Sequence, residues 1–466
     1  MRRTVTFRKQ EFDKLRDHLL RKDGKEHVAF LLFGKSAGEL DPWTKEQELR
    51  LLCREIDFVP DSDLIESGGD TITWDNNRFL PILKKAEEKR FSVGVIHSHP
   101  GGYDSFSGID DRNEKRLFEL TFNRNGTPNV HASFIMTPPG NVKGRMWNES
   151  FESDSIELIR ILGERFEFQF GRSTGFQAPE FLDRQKLAFG EALLEEFSKL
   201  RVGVVGCGAT GTATAQLLAR LGVGHLLFID KDTVEITNLN RLHGATKNDV
   251  GVAKVIVLKR SIEEIGIGTK IEVVNDWVSS EEARSALKAC DIVFGCSDDN
   301  SGRMLLNRFA YFYLTPLIDI GLTVHVSEES PPTIRALIGR VTVVFPGSRC
   351  LNSHGITNSQ FAYAENLRRS TSDQYEQLKK EAYVIGEGNP NPAVGTFTTE
   401  TAAVAVNEFL HRIQGYRNSG SVDHRLRFFH LDEDLKPSTE PEKECRICGA
   451  TTYWARGDMQ PFLDMA

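Results

Sequence analysis

Between Arg201 and Asp230 the chain reads RVGVVGCGATGTATAQLLARLGVGHLLFID. RVGVVG is a short apolar strand. ATGTATAQLLARLG is a helix of small and apolar residues that stops at Gly222, and HLLFID is the next strand. Two strands joined through a helix run parallel, because the crossover returns the chain to the same end of the sheet. The alternation continues through KIEVVND, DIVFGCSD and PLIDIG. The expected fold class is therefore α/β, with a doubly wound, Rossmann-like, mostly parallel sheet covered by helices on both faces.

The turn inside this unit carries Gly206, Gly208 and Gly211 as Gly-x-Gly-x-x-Gly. Those glycines permit a tight turn and a close backbone approach to phosphate, and the helix N-terminus attracts the anion. Dinucleotide sites share that fingerprint. The residues that follow shift the balance. IDKDTVEITNLNRLH supplies Asp230, Asp232, Asn238 and Arg241, Lys254 follows in GVAKV, and Asp298-Asp299 close DIVFGCSDD. Arginine and lysine beside carboxylates suit a triphosphate with Mg²⁺. The cations neutralise phosphate oxygens and a carboxylate supports the metal.

Ahead of this region the chain reads as mixed α+β. Phe12, Leu15, Leu19 and Leu20 sit at helical spacing, and EHVAFLLFG, FSVGVIHSH and NVHASFIM read as buried strands. The stretch VIHSHPGGYDSFSGIDD puts His97 and His99 two residues apart at a strand end, on one face. Ser107 and Asp110 follow at a spacing that shares one helical face. Two imidazoles and one carboxylate leave a fourth tetrahedral position open for water, the plan of a catalytic zinc site. Zinc brings the pKa of bound water to about 7, and a general base must still move the proton. Glu26, heading an otherwise apolar strand, is the candidate base, since partial burial raises a carboxyl pKa. Asp104 and Asp111 are read as solvated.

Composition sets outer limits. The chain has 466 residues, net charge −8 and 27% charged residues. That length suggests about three domains, or two large ones. There is no clustered basic excess of the kind nucleic-acid binding needs, no apolar run of membrane-spanning length, and no apolar core behind MRRTVTFRKQEFDKL to suggest a secretory signal. Seven scattered cysteines fit a reducing, cytoplasmic compartment better than a disulfide framework. The expected layout is residues 1–155, a linker over 156–180 ending FGRSTGFQAPE, the nucleotide domain over 181–435, and a tail over 436–466 with Cys-x-x-Cys. The segment from Cys350 to about Pro392 reads as a long, polar, weakly periodic loop.

Two resemblances sharpen these readings. His97-Ser98-His99-Pro100, with seven residues between His99 and Ser107, and then Asp110 resemble in every interval the signature of JAB/JAMM isopeptidases, and Glu26 precedes it on a strand ending at Gly34. That family cleaves ubiquitin or ubiquitin-like proteins after their C-terminal glycine. The resemblance implies an MPN-like α+β domain in which His97, His99 and Asp110 hold zinc, Glu26 is the base and Ser107 hydrogen-bonds the tetrahedral intermediate. The region from Arg184 to Leu410 resembles the ThiF/MoeB/HesA family and the adenylation domain of ubiquitin-activating enzymes. The matching pieces are DRQ, DKDTVEITNLNR, Lys254, and CSDDNSGRMLLN with Arg303 and Asn307. It implies that Asp230 contacts ribose, that Asn238, Arg241 and Lys254 contact phosphates, and that Asp298 holds Mg²⁺. Arg184 would reach a partner subunit's site, which implies a homodimer. The implied reaction is ATP-dependent adenylation of the C-terminal glycine of a ubiquitin-like protein. GCGATG and Leu242 depart from the family's commoner Gly-Gly-Leu-Gly and glutamine.

Cys350, in FPGSRCLNSHG, begins the loop where this family carries its reactive cysteine or a zinc-ligand pair. Three roles stay open for it. Cys350, His354, Cys445 and Cys448 would make a structural zinc site. A free Cys350, its pKa lowered by Arg349, would serve as the thioester nucleophile. A metal-free structural role is the third. The whole chain is then expected to be a zinc isopeptidase fused to an adenylating domain, like components of bacterial ubiquitin-like modification systems, some linked to antiviral defence, with a conjugating enzyme downstream. The alternatives are processing and activation of a sulfur-carrier protein, and a metal-free N-terminal scaffold.

Overall fold

The computed structural model describes residues 1–38, 40–126, 130–171, 175–370, 393–437 and 439–459. The chain builds an α/β structure on two large sheets, one of nine strands and one of eight. The first contains β1 (Arg2–Arg8), α1 (Lys9–Leu19), β2 (Val28–Gly38), β3 (Glu48–Phe58), the small hairpin β4 (Leu64–Ser67) and β5 (Ile72–Trp74), α2 (Asn76–Lys89), β6 (Ser92–Ser98), α3 (Gly108–Asn125), β7 (His131–Thr137), β8 (Asn141–Trp147), β9 (Ser153–Ser155), β10 (Leu158–Leu162) and β11 (Phe166–Phe170). Its order is β11-β10-β1-β3-β2-β6-β7-β8-β9, with the hairpin apart. Phe12, Leu15 and Leu19 of α1 are buried, as their spacing requires.

The second part runs through α4 (Asp183–Phe189), α5 (Glu191–Lys199), β12 (Arg201–Val205), α6 (Ala209–Arg220), β13 (His225–Ile229), α7 (Lys254–Glu263), β14 (Lys270–Val274), α8 (Glu281–Lys288), β15 (Ile292–Gly295), α9 (Asn300–Phe312), β16 (Leu317–Val326), β17 (Ile334–Val344), α10 (Ser359–Ser370), α11 (Gly395–Gln414), β18 (His424–Phe428) and β19 (Glu433–Leu435). The strand order is β14-β13-β12-β15-β16-β17-β18-β19. Pairing is parallel from β14 to β16 and antiparallel beyond. Strand order reverses at β12, so a crevice opens at the carboxyl ends of β12 and β15. Among the described residues no helix is long and apolar enough to cross a membrane.

Two expectations change. The linker over 156–180 includes two strands of the first sheet: β10 pairs parallel with β1 and antiparallel with β11. FEFQF alternates, with Phe166 and Phe168 buried and Glu167 and Gln169 partly exposed. The loop expected from Cys350 to Pro392 contains α10, and its remainder, 371–392, lies outside the described residues, as do 460–466 of the tail.

The two halves meet through a buried charge cluster. Arg160 of β10 donates to Asp291 at 2.8 Å, and both side chains have no exposed surface. Arg50 of β3 donates to the Cys290 carbonyl at 2.9 Å and to Thr315 Oγ1 at 3.0 Å. Arg201 of β12 reaches back to Asp41 and, at 3.1 Å, to Glu48, which also holds Arg2 at 3.1 Å. Burial alone would raise the Asp291 carboxyl. The guanidinium groups of Arg160, Arg2, Arg50 and Arg201 outweigh it and hold the pKa at about 2.

Residues 455–458 are wedged into the same seam. Ala455 and Gly457 donate N–H groups to the Tyr311 and Phe312 carbonyls at the end of α9, while Asp458 N–H donates to the Lys35 carbonyl of β2. Asp458 also accepts from Ala37 N–H at 2.7 Å and Tyr313 Oη at 2.7 Å. A Cβ on Gly34 would stand 1.9 Å from the Ala455 carbonyl oxygen, so that glycine is required by the close approach.

Asp291→Ala should lower unfolding free energy by about 3–5 kcal/mol in urea titration, because it leaves buried guanidinium groups unpaired. A change below about 1 kcal/mol, as for an exposed pair, would contradict this. The unfolded chain takes up the Asp291 proton near the ordinary 3.8 and the folded chain only near 2. The stability from this pairing is therefore complete above the ordinary value and disappears as pH falls from about 4 to about 2, a loss that Asp291→Ala should abolish.

Candidate functional site

The first candidate site forms where β6 ends. Antiparallel pairing sets Val28 of β2 opposite His97 of β6, and Ser98 N–H donates to the His27 carbonyl. One step further in that register, Glu26 comes opposite His99, with Glu26 Oε1 3.9 Å from His99 Nε2. Helix α3 supplies the third group. Ser107 is its N-cap, accepting from Asp110 N–H at 3.1 Å while the Asp110 carboxylate accepts from Ser107 N–H at 2.6 Å. This reciprocal cap fixes Asp110 facing the imidazoles.

His97 Nε2 and His99 Nε2 lie 3.0 Å apart, and Asp110 Oδ1 lies 3.4 Å from His97 Nε2. Two nitrogens on one tetrahedral zinc would be separated by roughly 3.3 Å. Tyr103 O lies 2.7 Å from His99 Nδ1, a contact that places the proton there and leaves Nε2 as the ligand atom. His97, His99 and Asp110 thus fit a metal ion, with their ligand atoms within 4.8 Å of one another. Burial is the main reason that the Glu26 carboxyl rises from its ordinary 4.5 to about 7; His97 opposes the rise and Asp110 adds to it. Burial would also raise Asp110, but its hydrogen bonds and charge attraction to His97, with Ser107, hold it well below the carboxylate range. The Ser107 hydroxyl accepts from Asp110 N–H and also hydrogen-bonds the Asp110 carboxylate.

Asp104 and Asp111 point elsewhere, to Lys143 at 2.5 Å and Arg145 at 2.6 Å. Arg145 was not legible as a site residue. It also donates to Glu114 at 2.7 Å, and its guanidinium lies 3.9 Å from the Phe106 ring centroid. It pins α3 to β8, and thereby Ser107 and Asp110 to the histidines. An arginine in the strand NVKGRMW was the available signal.

The second candidate site is the crevice at β12. A Cβ on Gly211 would stand 1.8 Å from the Gly206 carbonyl, and one on Gly206 would strike the Cys296 and Ser297 backbone at 2.6–2.8 Å. Among the described residues nothing lies within 4 Å of a Cβ on Gly208, the N-cap of α6, and no side chain caps that helix. Two glycines are therefore spent on packing. The third keeps open the approach to uncapped N–H groups, which suits a phosphate. Asp230 ties the turn to the next strand, accepting from Cys207 N–H at 2.6 Å and Asp232 N–H at 2.8 Å. Lys254 donates to Asp232 at 2.9 Å. Burial works against its charge, but Asp230, Asp232 and Asp298 raise its pKa. Asp298 is exposed at the end of β15.

Asn238 and Arg241 are engaged within their own loop. Asn238 Oδ1 accepts from Glu235 N–H at 3.1 Å within its own loop. Arg241 donates to the Thr237 carbonyl at 2.6 Å and to Asn240 at 3.1 Å. Arg184 is exposed on α4, whose Gln185 donates to the Arg220 carbonyl at the far end of α6 from the glycine turn. Arg184 is therefore remote from its own crevice.

The third group is sulfur. Cys350 Sγ lies 3.7 Å from Cys445 Sγ, and Cys448 completes a set within 4.8 Å. Two thiolates on one tetrahedral zinc would be roughly 3.8 Å apart, whereas a disulfide requires about 2.05 Å. Ile447 N–H and Ser353 N–H donate to Cys445 and Cys350 sulfurs at 3.4 and 3.5 Å. The trio fits a metal. His354 does not join it: its ring stacks on His424 at 4.2 Å between centroids. Ser353 stands there instead, with Oγ 3.4 Å from Cys448 Sγ and 3.6 Å from Cys350 Sγ. The turn after Cys350 folds the residue at i+3 onto the sulfur and carries the one at i+4 past it. Cys350 has no exposed surface, so a role as an accessible nucleophile loses its footing.

Comparison with known proteins agrees with this division. Residues 8–149 match the family model of prokaryotic homologs of the JAB domain, and residues 182–448 match that of the ThiF family. Among curated relatives, the chain is similar to ubiquitin-like modifier-activating enzyme 5 of Gallus gallus, 28% identical over 54% of this chain and 60% of that protein. It is similar to adenylyltransferase and sulfurtransferase MOCS3 of Dictyostelium discoideum, 33% identical over 25% of this chain and 27% of that protein. It is also similar to tRNA threonylcarbamoyladenosine dehydratase of Escherichia coli, 38% identical over 20% of this chain and 35% of that protein. In each case the match spans less than two thirds of the relative. The ThiF match covers more than half of this chain, which therefore belongs to the ThiF family and carries a JAB-homologous domain ahead of its ThiF portion.

Proposed function

We propose that the chain is a bifunctional enzyme. One half would cleave after the C-terminal glycine of a ubiquitin-like protein, and the other would adenylate that C-terminus with ATP. The observation that carries the reading is the pairing of two separate clusters in one chain. His97, His99 and Asp110 meet beside Glu26, and an uncapped helix end faces open space beside Lys254.

At the first pocket a bound zinc ion would supply Lewis acidity and lower the pKa of a water. Glu26, poised near neutrality, is placed to hold a proton and would deliver it to the leaving amine. Ser107 donates to the oxygen on which charge develops. At the second pocket the α6 N–H groups and Lys254 would neutralise phosphate charge, and Asp298 would hold Mg²⁺. A tail carboxylate then attacks the α-phosphorus and pyrophosphate leaves. Arg184 fits a role in a partner's site, and so a homodimer, because it lies far from its own crevice.

The sulfur-carrier reading is favoured by one observation. All seven cysteines are buried or half-buried, so no thiol stands exposed to take the acyl group. The adenylate would then pass to a sulfur donor or another protein. Thiocarboxylate product in mass spectra supports that route, and lysine-linked conjugates support the conjugation route in a ubiquitin-like system.

Glu26→Gln should keep its zinc and lose at least about 100-fold in cleavage of a ubiquitin-like fusion. Retained cleavage, or zinc absent from both proteins, would overturn the protease assignment. The wild type should hold two equivalents of zinc by plasma mass spectrometry, and Cys448→Ser one. Two equivalents in Cys448→Ser would contradict a sulfur-held metal. Pyrophosphate exchange dependent on a ubiquitin-like protein should appear in the wild type and disappear in Asp298→Ala. No exchange with any such protein would overturn the adenylation assignment.

A further inference from the structure

Helix α10 leaves the Cys350 loop and lies across the start of α9. The Glu365 carboxylate accepts from Asn300 N–H at 3.0 Å and Ser301 N–H at 2.8 Å. Ser301 Oγ donates to Asn366 Oδ1 at 2.7 Å, and Asn358 N–H donates to Asn300 Oδ1 at 3.0 Å. These ties fix the register of α10. Arg369, one turn beyond Glu365, is thereby carried over the mouth of the nucleotide crevice.

The Arg369 guanidinium touches both banks of that mouth. Its Nη2 lies 2.9 Å from Asp299 Oδ2, and its central carbon lies 3.5 Å from the centroid of the Trp277 ring. Asp299 follows β15 and Trp277 follows β14, with β13 and β12 between them in the sheet. The segments that follow β14 and β15 therefore converge over the ends of β13 and β12, with the Arg369 guanidinium between them. Lys231, next to Asp230, puts a second cation on the same indole, 4.1 Å from its centroid. Arg369 and Asp299 are both about four-fifths buried, so neither charge is left to bulk water.

We propose that Arg369 is a nucleotide-binding residue of the adenylation site, supplied by the chain's own α10. The inference rests on the adenylation reading and adds to it. In the structure as it stands, Arg369 and Asp299 satisfy each other's charge. Mg²⁺ and a triphosphate arriving together bring one partner of each sign. The phosphate oxygens take the guanidinium, and Asp299, which keeps its cap on Gly302 N–H at 2.7 Å, offers its freed charge beside Asp298 to the cation. The exchange replaces one buried ion pair by two charge-assisted contacts and needs no new charge from the protein. It also compensates for Arg241, whose guanidinium is occupied by the Thr237 carbonyl and Asn240.

The test is calorimetric titration of the full chain with Mg²⁺ and α,β-methylene-ATP, which binds without turnover, and in parallel with adenosine. Arg369→Ala should weaken binding of the triphosphate analogue about tenfold or more, equivalent to about 1.4 kcal/mol, and leave adenosine binding unchanged. Arg369→Lys, which keeps the charge and loses the fork, should fall between them. It is also the fallback if the alanine variant does not fold. Equal analogue affinity in all three proteins overturns the proposal. Equal weakening of analogue and adenosine also overturns it, since that is what a merely structural role for α10 predicts. Failure of the wild type to bind the analogue at all overturns the adenylation reading itself.

Discussion

The two halves of this molecule are held together by charges with almost no water around them. Arg2, Arg50, Arg160 and Arg201 face Asp41, Glu48 and Asp291, and all are less than a tenth exposed. Each charge costs several kcal/mol to desolvate, so the cluster persists only with its partners in place. Those partners come from both sheets. Arg160 and Arg50 belong to the first, Asp291 and Arg201 to the second. If the halves separate, Asp291 loses Arg160, and Arg201 loses Asp41 and Glu48. Residues 455–458 add a second tie, running from the α9 terminus to β2.

This seam gives the candidate sites fixed positions on one platform. The metal-ligand group sits at the end of β6, the nucleotide crevice at the ends of β12 and β15, and the sulfur trio next to the segment that enters the seam. Cys448 is followed within a few residues by Trp454, Ala455 and Gly457, which bind both halves. Metal at the trio would therefore stiffen the same segment that couples the sheets. A rigid coupling would suit the two proposed activities, because it holds one site at a fixed distance from the other.

Much of this was legible in residue order. The βαβ alternation around Gly206, Gly208 and Gly211 needs only short-range periodicity, and the cap at Ser107 and Asp110 is a local contact three residues long. His97 and His99 share a face because a strand alternates. What escaped reading depends on distant partners. FEFQF carries a clear period of two, yet nothing local tells that β10 will pair with β1. Arg160 reads as a lone charge in LIRIL until Asp291, 131 residues away, arrives beside it. Ser353 and His354 differ by one position, and only the turn geometry decides that the hydroxyl faces the sulfurs. Arg369 lay in a stretch read as loop, and its place over the crevice follows from the tie between Glu365 and the start of α9.

The central physical claim is that the two sheets form one cooperative unit through the buried charge cluster. Native-state hydrogen exchange measures this most directly. The account predicts that amides of β1 and β10 in the first sheet and β12 and β15 in the second exchange with the same opening free energy, equal to that of global unfolding. Exchange of the nine-stranded sheet at a distinctly lower free energy, with the second sheet still protected, would contradict it.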